Sequence, residues 1–259
     1  MSQEFSHLDE SGRIKMVDVS GKHESVRIAR VRTPDGTSVV VKLWNRPGWR
    51  GALRRLTHTG SGSREYLALC RLQSQNVGTP LPLAFLRVKD SNVPYTEALV
   101  SSDLGMCGDS TEHFKRLLTG GDEVAIGAFE DRIIDTTAGL LRANLVDPDH
   151  RLPNFVITPD GRPVRLDFEL CRHVGSVRWH PRLVGLMLGT FLGSYVFAVQ
   201  PDLRRAGHFA RRLREAVRPS STVCRIAARR VAEMTERQRR ETGIDSSLPD
   251  VWSCGDGVH

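Results

Sequence analysis

Residues 183–199 read LVGLMLGTFLGSYVFAV, seventeen positions with no charge and almost no polar group. Such a run must be removed from water, and that constrains the chain more than any other feature. It is at the short end of what spans a bilayer. Gly185, Gly189 and Gly193 recur every fourth residue, which lowers helix propensity and lets a second helix approach closely. With Thr190 and Ser194 also present, the stretch is expected to be the buried central helix of a soluble core.

A chain of 259 residues is long enough to surround such a helix with one large domain or two small ones. Its 39% hydrophobic and 26% charged residues fit a globular protein. Five cysteines (Cys70, Cys107, Cys171, Cys224 and Cys254) are odd in number and lack CxxC spacing. Neither a disulfide framework nor a zinc site is expected, and a reducing compartment is. Residues 1–10 carry no apolar segment, so no secretory signal is expected.

The net charge of +7 is uneven. Residues 201–240 hold twelve arginines against four acidic residues, a net of +8, which leaves −1 for the rest. This stretch predicts a solvated helical face or a surface for an anionic partner. Phe209 is its only aromatic residue, so base stacking, and with it nucleic acid as a partner, is not expected.

Up to about residue 102 the patterns are strand-like. The run 25–31 (SVRIARV) alternates, which points Val26 and Ile28 inward, with Ala29 and Val31. Thr33-Pro34-Asp35-Gly36 is a turn, and 38–44 (SVVVKLW) a β-branched strand, giving a hairpin. A short helix is expected near 52–56 and a longer one over 63–75, with Ser63 as its N-cap. Leu69, Cys70 and Leu72 should share a face of it. Two further strands follow at 81–88 and 95–101. Beyond 103 the chain reads as helical: one long helix over 122–145, the apolar helix, then arginine-rich helices over 201–240. Between them residues 147–167 form a polar loop feeding a small hairpin of 155–157 and 164–168.

That loop holds the densest chemistry. Asp149, Asn154 and Asp167 are spaced D-x4-N, then thirteen residues to D-F-E. Phosphoryl transfer needs such a set: one carboxylate to receive the acceptor hydroxyl's proton, a second plus an amide oxygen for Mg²⁺. A buried carboxylate between Leu166 and Phe168 would need a partner, and a cation is one. A strand lysine, Lys42 after three valines, and a glutamate on the next helix, Glu65, complete the order.

These residues carry a resemblance. Val39–Trp44 (VVVKLW), Ser63–Leu86 (SREYLALCRLQSQNVGTPLPLAFL) and Val146–Glu169 (VDPDHRLPNFVITPDGRPVRLDFE) resemble the protein-kinase-like superfamily, and within it the small bacterial lipopolysaccharide (Kdo/heptose) kinases. The resemblance covers about residues 16–200. It implies an α+β, two-lobed protein-kinase-like fold: a polar lead (1–15), a small β-rich N-lobe (16–102), a larger helical C-lobe with the arginine-rich helices (103–241), and an irregular tail (242–259).

The resemblance also implies roles. Lys42 would bind the α- and β-phosphates of ATP and pair with Glu65. Asp149 would be the catalytic aspartate, and Asn154 and Asp167 the Mg²⁺ ligands. Ser101 and Ser102 would lie where backbone meets adenine. The acceptor would be a sugar hydroxyl on the lipopolysaccharide core. The enzyme would be cytoplasmic, at the inner face of an anionic membrane.

The chain also departs from the pattern. Only Gly21 stands where a glycine-rich phosphate loop belongs, with Val19 and Glu24 in the flanking glycine positions. Asp147 replaces a common histidine, Glu169 ends D-F-E, and no A-P-E segment follows. The alternatives are therefore a pseudokinase acting as a binding protein, or a kinase for a protein or another small molecule. Arg46, Arg50, Arg54 and Arg55 are either surface charge or a grip on an anionic acceptor.

Overall fold

The computed structural model describes residues 20–23, 26–45, 60–87, 95–105 and 107–242. The chain divides into two compact units, described here in turn.

The first unit comprises Met1–Ser74, Thr79–Gly105 and the short return Phe168–Leu170. Its five-stranded antiparallel sheet runs in the order β1 (Ser20–His23), β2 (Val26–Arg32), β3 (Ser38–Trp44), β5 (Glu97–Ser102), β4 (Pro82–Arg87). Gly36 at φ +85° makes the β2–β3 turn, closed by the Thr33 N–H on Thr37 O at 2.8 Å.

Alternation gives the sheet two faces. Ala29, Val31, Val39, Val41 and Ala98 form an apolar core on one, flanked by Leu43 and Val100. The other carries Ile28, Lys42 and Leu99 in register. This corrects the expected facing of β2. Ala29 and Val31 point into the core, while Ile28 is 38% exposed and Val26 half-buried. The run VRIARV has apolar residues in both phases, and the partners Val41 and Val39 select one; a one-residue slip exchanges the faces.

Helix α1 (Ser61–Ser74) packs against β3, β4 and β5. Leu69 and Leu72 are buried and Cys70 is half-buried. Ser63 is not its N-cap. The helix starts two residues earlier, Ser63 Oγ donates to Gly60 O (3.0 Å), and the Gly62 N–H donates to Glu97 Oε2 on β5 (3.0 Å). A distant carboxylate thus satisfies an orphan donor of the first turn. Gly62 lets the helix reach Trp44, since a Cβ there would lie 2.9 Å from the indole. The expected helix at 52–56 and the arginines at 46, 50, 54 and 55 lie outside the described residues.

The second unit comprises Gln75–Gly78, Met106–Asp167 and Cys171–His259. It holds α2 (Ser110–Gly120), α3 (Glu123–Arg142), α4 (Pro181–Val199), α5 (Leu203–Val217) and α6 (Ser221–Thr242). Two small sheets accompany them: β6 (Gly108–Asp109) with β8 (Phe155–Ile157) and β9 (Pro163–Arg165), and β7 (Leu145–Val146) with β10 (Arg172–His173).

Helix α2 was not legible as a helix by periodicity, yet its ends are encoded. Asp109 accepts the Glu112 N–H (2.7 Å) and Gly121 closes the C-terminus at φ +68°. Helix α3 is capped by Asp122 (3.0 Å to the Ala125 N–H). It ends at Arg142, three residues before the expected 145, where Asn144 takes φ +54° and β7 begins.

Helix α4 is long and apolar enough to cross a membrane by length and composition, and 72% of its apolar window is buried inside the protein. Its glycine stripe faces α6. A Cβ at Gly185 would lie 2.6 Å from Ile226 Cβ, at Gly189 2.7 Å from Ala227 O, and at Gly193 2.8 Å from Met234 Sδ. The glycines therefore set a close helix–helix approach. The four described cysteines (Cys70, Cys107, Cys171 and Cys224) form no disulfide.

Candidate functional site

In the first unit the site is built around Lys42. It sits in mid-β3 between Ile28 and Leu99, on the face opposite the apolar core. Its Nζ lies 3.0 Å from Glu65 Oε2 on the second turn of α1. It lies equally close, 3.0 Å, to Glu169 Oε1 on the returning segment. The Trp44 ring covers it at 5.3 Å, within cation–π range. All three charged side chains are largely withdrawn from water, at 13%, 7% and 18% exposure for Lys42, Glu65 and Glu169. An ammonium so desolvated requires carboxylate partners.

The other residues expected in this unit lie along the strands. Gly21 is within β1, paired to β2 across an irregular register rather than in an open loop, and Glu24 lies outside the described residues. Ser101 and Ser102 end β5. The Ser102 N–H donates to Leu81 O (2.9 Å), and Ser102 Oγ accepts the Leu81 N–H (2.8 Å). Beyond them Asp103 pairs with Arg30 Nε (2.7 Å) and accepts from Ser38 Oγ (2.7 Å), while Arg30 donates to Gly105 O (2.8 Å). Asp103 and Arg30 thus fix the chain leaving β5. Sequence reading missed both, because their contact spans 73 positions.

In the second unit the loop after β7 is anchored from below. Asp147 and Arg165 are completely buried and paired at 2.5 Å. Asp147 Oδ1 accepts the Asp149 N–H (3.0 Å), and Arg165 also reaches Asn154 O (3.3 Å) and Asp149 O (3.4 Å). Burial pushes the Asp147 carboxyl above its usual range, with Arg165 pulling the other way.

His150 is also buried. Arg165 Nε points at its Nδ1 (3.4 Å), so Nδ1 accepts, and Nε2–H donates to Thr137 Oγ1 (2.8 Å). Thr137 in turn donates to Ile133 O (2.7 Å). This chain assigns the neutral Nε2–H tautomer. Burial first, and the Arg165 charge second, hold His150 well below the ordinary imidazole pKa. Ser194 Oγ on α4 accepts the Leu152 N–H (2.9 Å), and Ser110 Oγ on α2 donates to Leu152 O (2.8 Å). Asp147, which replaces the common histidine, is therefore a structural hub together with Arg165 and His150.

On this base stands the polar set. Asn154 Nδ2 donates to Asp149 O (2.8 Å) and Asp149 Oδ2 (2.9 Å). Arg151 Nε lies 3.1 Å from Asp149 Oδ1. The Leu166 N–H donates to Asn154 O (2.9 Å), which extends the β8–β9 ladder. Asn154 and Asp167 therefore emerge at the same end of the hairpin. Asp167 is exposed, not buried as expected. β9 stops at Arg165, and Asp167 takes φ +59°, which breaks the alternation and puts Phe168 inside instead. Burial therefore gives Asp167 no need of a cation, while its place beside Asn154 remains.

The donor set fits a hard divalent cation. Both amide hydrogens of Asn154 face Asp149, which leaves Oδ1 as an oxygen donor, and Asp167 offers an exposed carboxylate.

A small antiparallel sheet carrying a strand lysine paired to a helix glutamate, with a larger helical unit bearing the D-x4-N loop and its hairpin, is a protein-kinase-like fold. No protein-family model matches the sequence, and no curated protein does. Among solved structures, that of WaaP in complex with acyl carrier protein matches with a TM-score of 0.58, over 83% of this chain and 88% of that one. The two are 18% identical, and what they share is the fold.

Proposed function

We propose that this chain is a Mg²⁺- and ATP-dependent phosphotransferase that moves the γ-phosphate to a hydroxyl of a lipopolysaccharide-core sugar. The arrangement of Asp149 and Asn154 carries the reading. A half-exposed carboxylate is held by an amide that keeps its own oxygen free, on a loop fixed by a buried ion pair. Most phosphoryl-transfer catalysis is positioning and charge compensation, which such a loop supplies. The sugar acceptor is supported by the resemblance of the stretches around Lys42, Glu65 and Asp149 to the lipopolysaccharide kinases, and the kinase-like fold is shared with WaaP.

Lys42 would bind nucleotide phosphates, oriented by Glu65. Asn154 and Asp167 would hold Mg²⁺, which when bound supplies charge neutralisation for the phosphates. Asp149 would accept the hydrogen bond of the acceptor hydroxyl and receive its proton as the oxygen attacks phosphorus. Arg151, on the same carboxylate, would keep it aimed.

The test uses labelled ATP with core oligosaccharide as acceptor, and calorimetry for nucleotide binding. Asp149→Asn is expected to bind Mg·ATP like the wild type and to lose about 10²–10⁴-fold in turnover. Asp167→Ala is expected to lose magnesium-dependent binding. Unchanged turnover in Asp149→Asn would falsify the assignment.

The second reading, a pseudokinase, has its own observation: Lys42 is engaged by two carboxylates and Gly21 is held in a strand. It predicts no magnesium-dependent nucleotide binding by the wild type.

A further inference from the structure

We propose that the C-terminal half of α5 and the turn after it form a binding site for a phosphate group, carried by a small molecule or by a lipid headgroup. The proposal is independent of the phosphotransferase reading, since none of the residues assigned to that reaction lies on α5.

Helix α5 reads LRRAGHFARRLREAV. Its buried positions, Ala206, Phe209, Ala210 and Leu213, decide which arginines face the protein and which face water. Arg205 and Arg212, seven residues apart, flank that stripe and pair with Glu123, Glu130 and Asp131 of α3. Arg204, Arg211 and Arg218 form a second row at the same spacing, and all three are exposed. Among the described residues, none of these three enters an ion pair. The first row holds the fold together and the second does not.

The second row borders a cavity. A recess of about 440 Å³ is lined by Arg211, Arg214, Glu215, Arg218 and Pro219, within the range of about 300–1,000 Å³ for small-molecule sites. Arg214 is engaged with a further partner, which leaves Arg211 and Arg218 as the guanidinium groups open to a ligand. Glu215 follows Arg211 by four residues, the less favourable order for a helix pair, and the two form no ion pair. The helix dipole favours cations at the C-terminal end and so accounts for Arg214 and Arg218, but not for Arg211, which precedes the last turn.

Phosphate is the class that fits. A guanidinium presents its N–H donors as a planar fork that matches the edge of an oxyanion. A terminal phosphate has three acceptor oxygens, enough to meet two forks at once. No aromatic side chain lines the recess, and Phe209 of the same helix is buried, so a stacked base has nothing to rest on.

Calorimetry of the full-length protein with inorganic pyrophosphate, at constant ionic strength, tests the site. Arg211→Gln/Arg218→Gln is expected to weaken binding about tenfold or more, the size of at least one charge-assisted contact. Glu215→Gln removes a repelling charge from the wall and should tighten binding about threefold. Arg182→Gln/Arg229→Gln takes the same charge from two exposed arginines outside the recess and should bind like the wild type. Arg211→Lys/Arg218→Lys keeps the charge without the fork; it should also weaken binding, and serves if the glutamine variant folds poorly. Co-sedimentation with phosphatidylcholine vesicles, with and without phosphatidic acid, separates the two sources. Pyrophosphate binding without vesicle binding assigns the site to a small molecule. Vesicle binding that needs phosphatidic acid and is lost in Arg211→Gln/Arg218→Gln assigns it to a headgroup, and either result supports the proposal. Pyrophosphate binding lost in Lys42→Met but kept in the Arg211 and Arg218 variants overturns it, because the anion then sits with the nucleotide-binding residues. An equal loss in Arg182→Gln/Arg229→Gln overturns it too, by reducing the effect to net charge, and so does a wild type that binds neither probe. The phosphotransferase reading is untouched by all three.

Discussion

Asp147 and Arg165 show how much depends on a pair that does no chemistry. Removing one partner of a buried ion pair leaves the other uncompensated, at a cost of about 3–5 kcal/mol. Arg165→Met is therefore expected to lose about that much in urea unfolding. The double variant Asp147→Leu/Arg165→Met should recover most of it, because a buried pair can be replaced by apolar groups of similar volume. It should not recover turnover, since the Asp149 N–H has lost its acceptor. Equal turnover in the double variant and the wild type would show that the pair does not position the loop. At this scale the local pattern singled out Lys42, Glu65, Asp149 and Asn154 as candidates, because each has a fixed offset from a strand, a helix start or a turn. It misjudged Asp167, whose positive φ no neighbour pattern announces.

Helix α4 is a stripe of small residues against α6. At Gly189 the added methyl would meet Ala227 O at 2.7 Å and Arg230 Cβ at 2.6 Å, and backbone cannot step aside. Gly189→Ala is expected to cost about 1–3 kcal/mol by overpacking. At about 2–4 °C per kcal/mol for a chain of this size, thermal unfolding should begin several degrees lower. Gly127 on α3 is the control, with nothing within 4 Å of a Cβ. Gly127→Ala should hold or raise the Tm, because a helical glycine costs about 0.5–1 kcal/mol relative to alanine. Should both variants melt alike, close α4–α6 packing is not what the stripe provides.

The arginine-rich helices make the complementary point. Arg205 and Arg212 of α5 both reach Glu130, a buried carboxylate on α3 that also accepts the Tyr195 hydroxyl of α4. Burial, and then the Glu130 charge, drive the Tyr195 pKa upward, so its hydroxyl stays protonated. On α6, Arg239 and Arg240 both pair with Glu236. Part of the +8 excess is thus spent on tying helices together or on pairs along one helix face, rather than left open to a partner.

For the molecule as a whole, the titration of His150 sets a pH dependence of stability. Its folded pKa is depressed, so below about 6.5 the unfolded chain binds a proton that the folded chain refuses. Stability is therefore fully present above that pH and falls as pH drops, by up to about 1.4 kcal/mol per unit for one proton. Asp147, with its pKa raised, acts in the opposite sense: it favours the folded state below its folded pKa and loses that contribution as pH rises through it. Urea unfolding at pH 7.5 and 5.5 should show a net loss at the lower pH, reduced in His150→Gln. An identical slope in that variant would remove His150 as the source.

The order of elements, the central apolar helix, the strand lysine and the loop spacing all follow from sequence alone. Periodicity, turn residues and residue offsets act over a few positions, and the chain states them locally. The facing of β2, the capping of α1 by Glu97, the partners of Arg205 and Arg212, and the second carboxylate on Lys42 were decided only in the tertiary structure. Each depends on side chains 8 to 127 positions apart in a chain that has first to fold, where apolar burial chooses the register and the charges then take the partners it brings within reach.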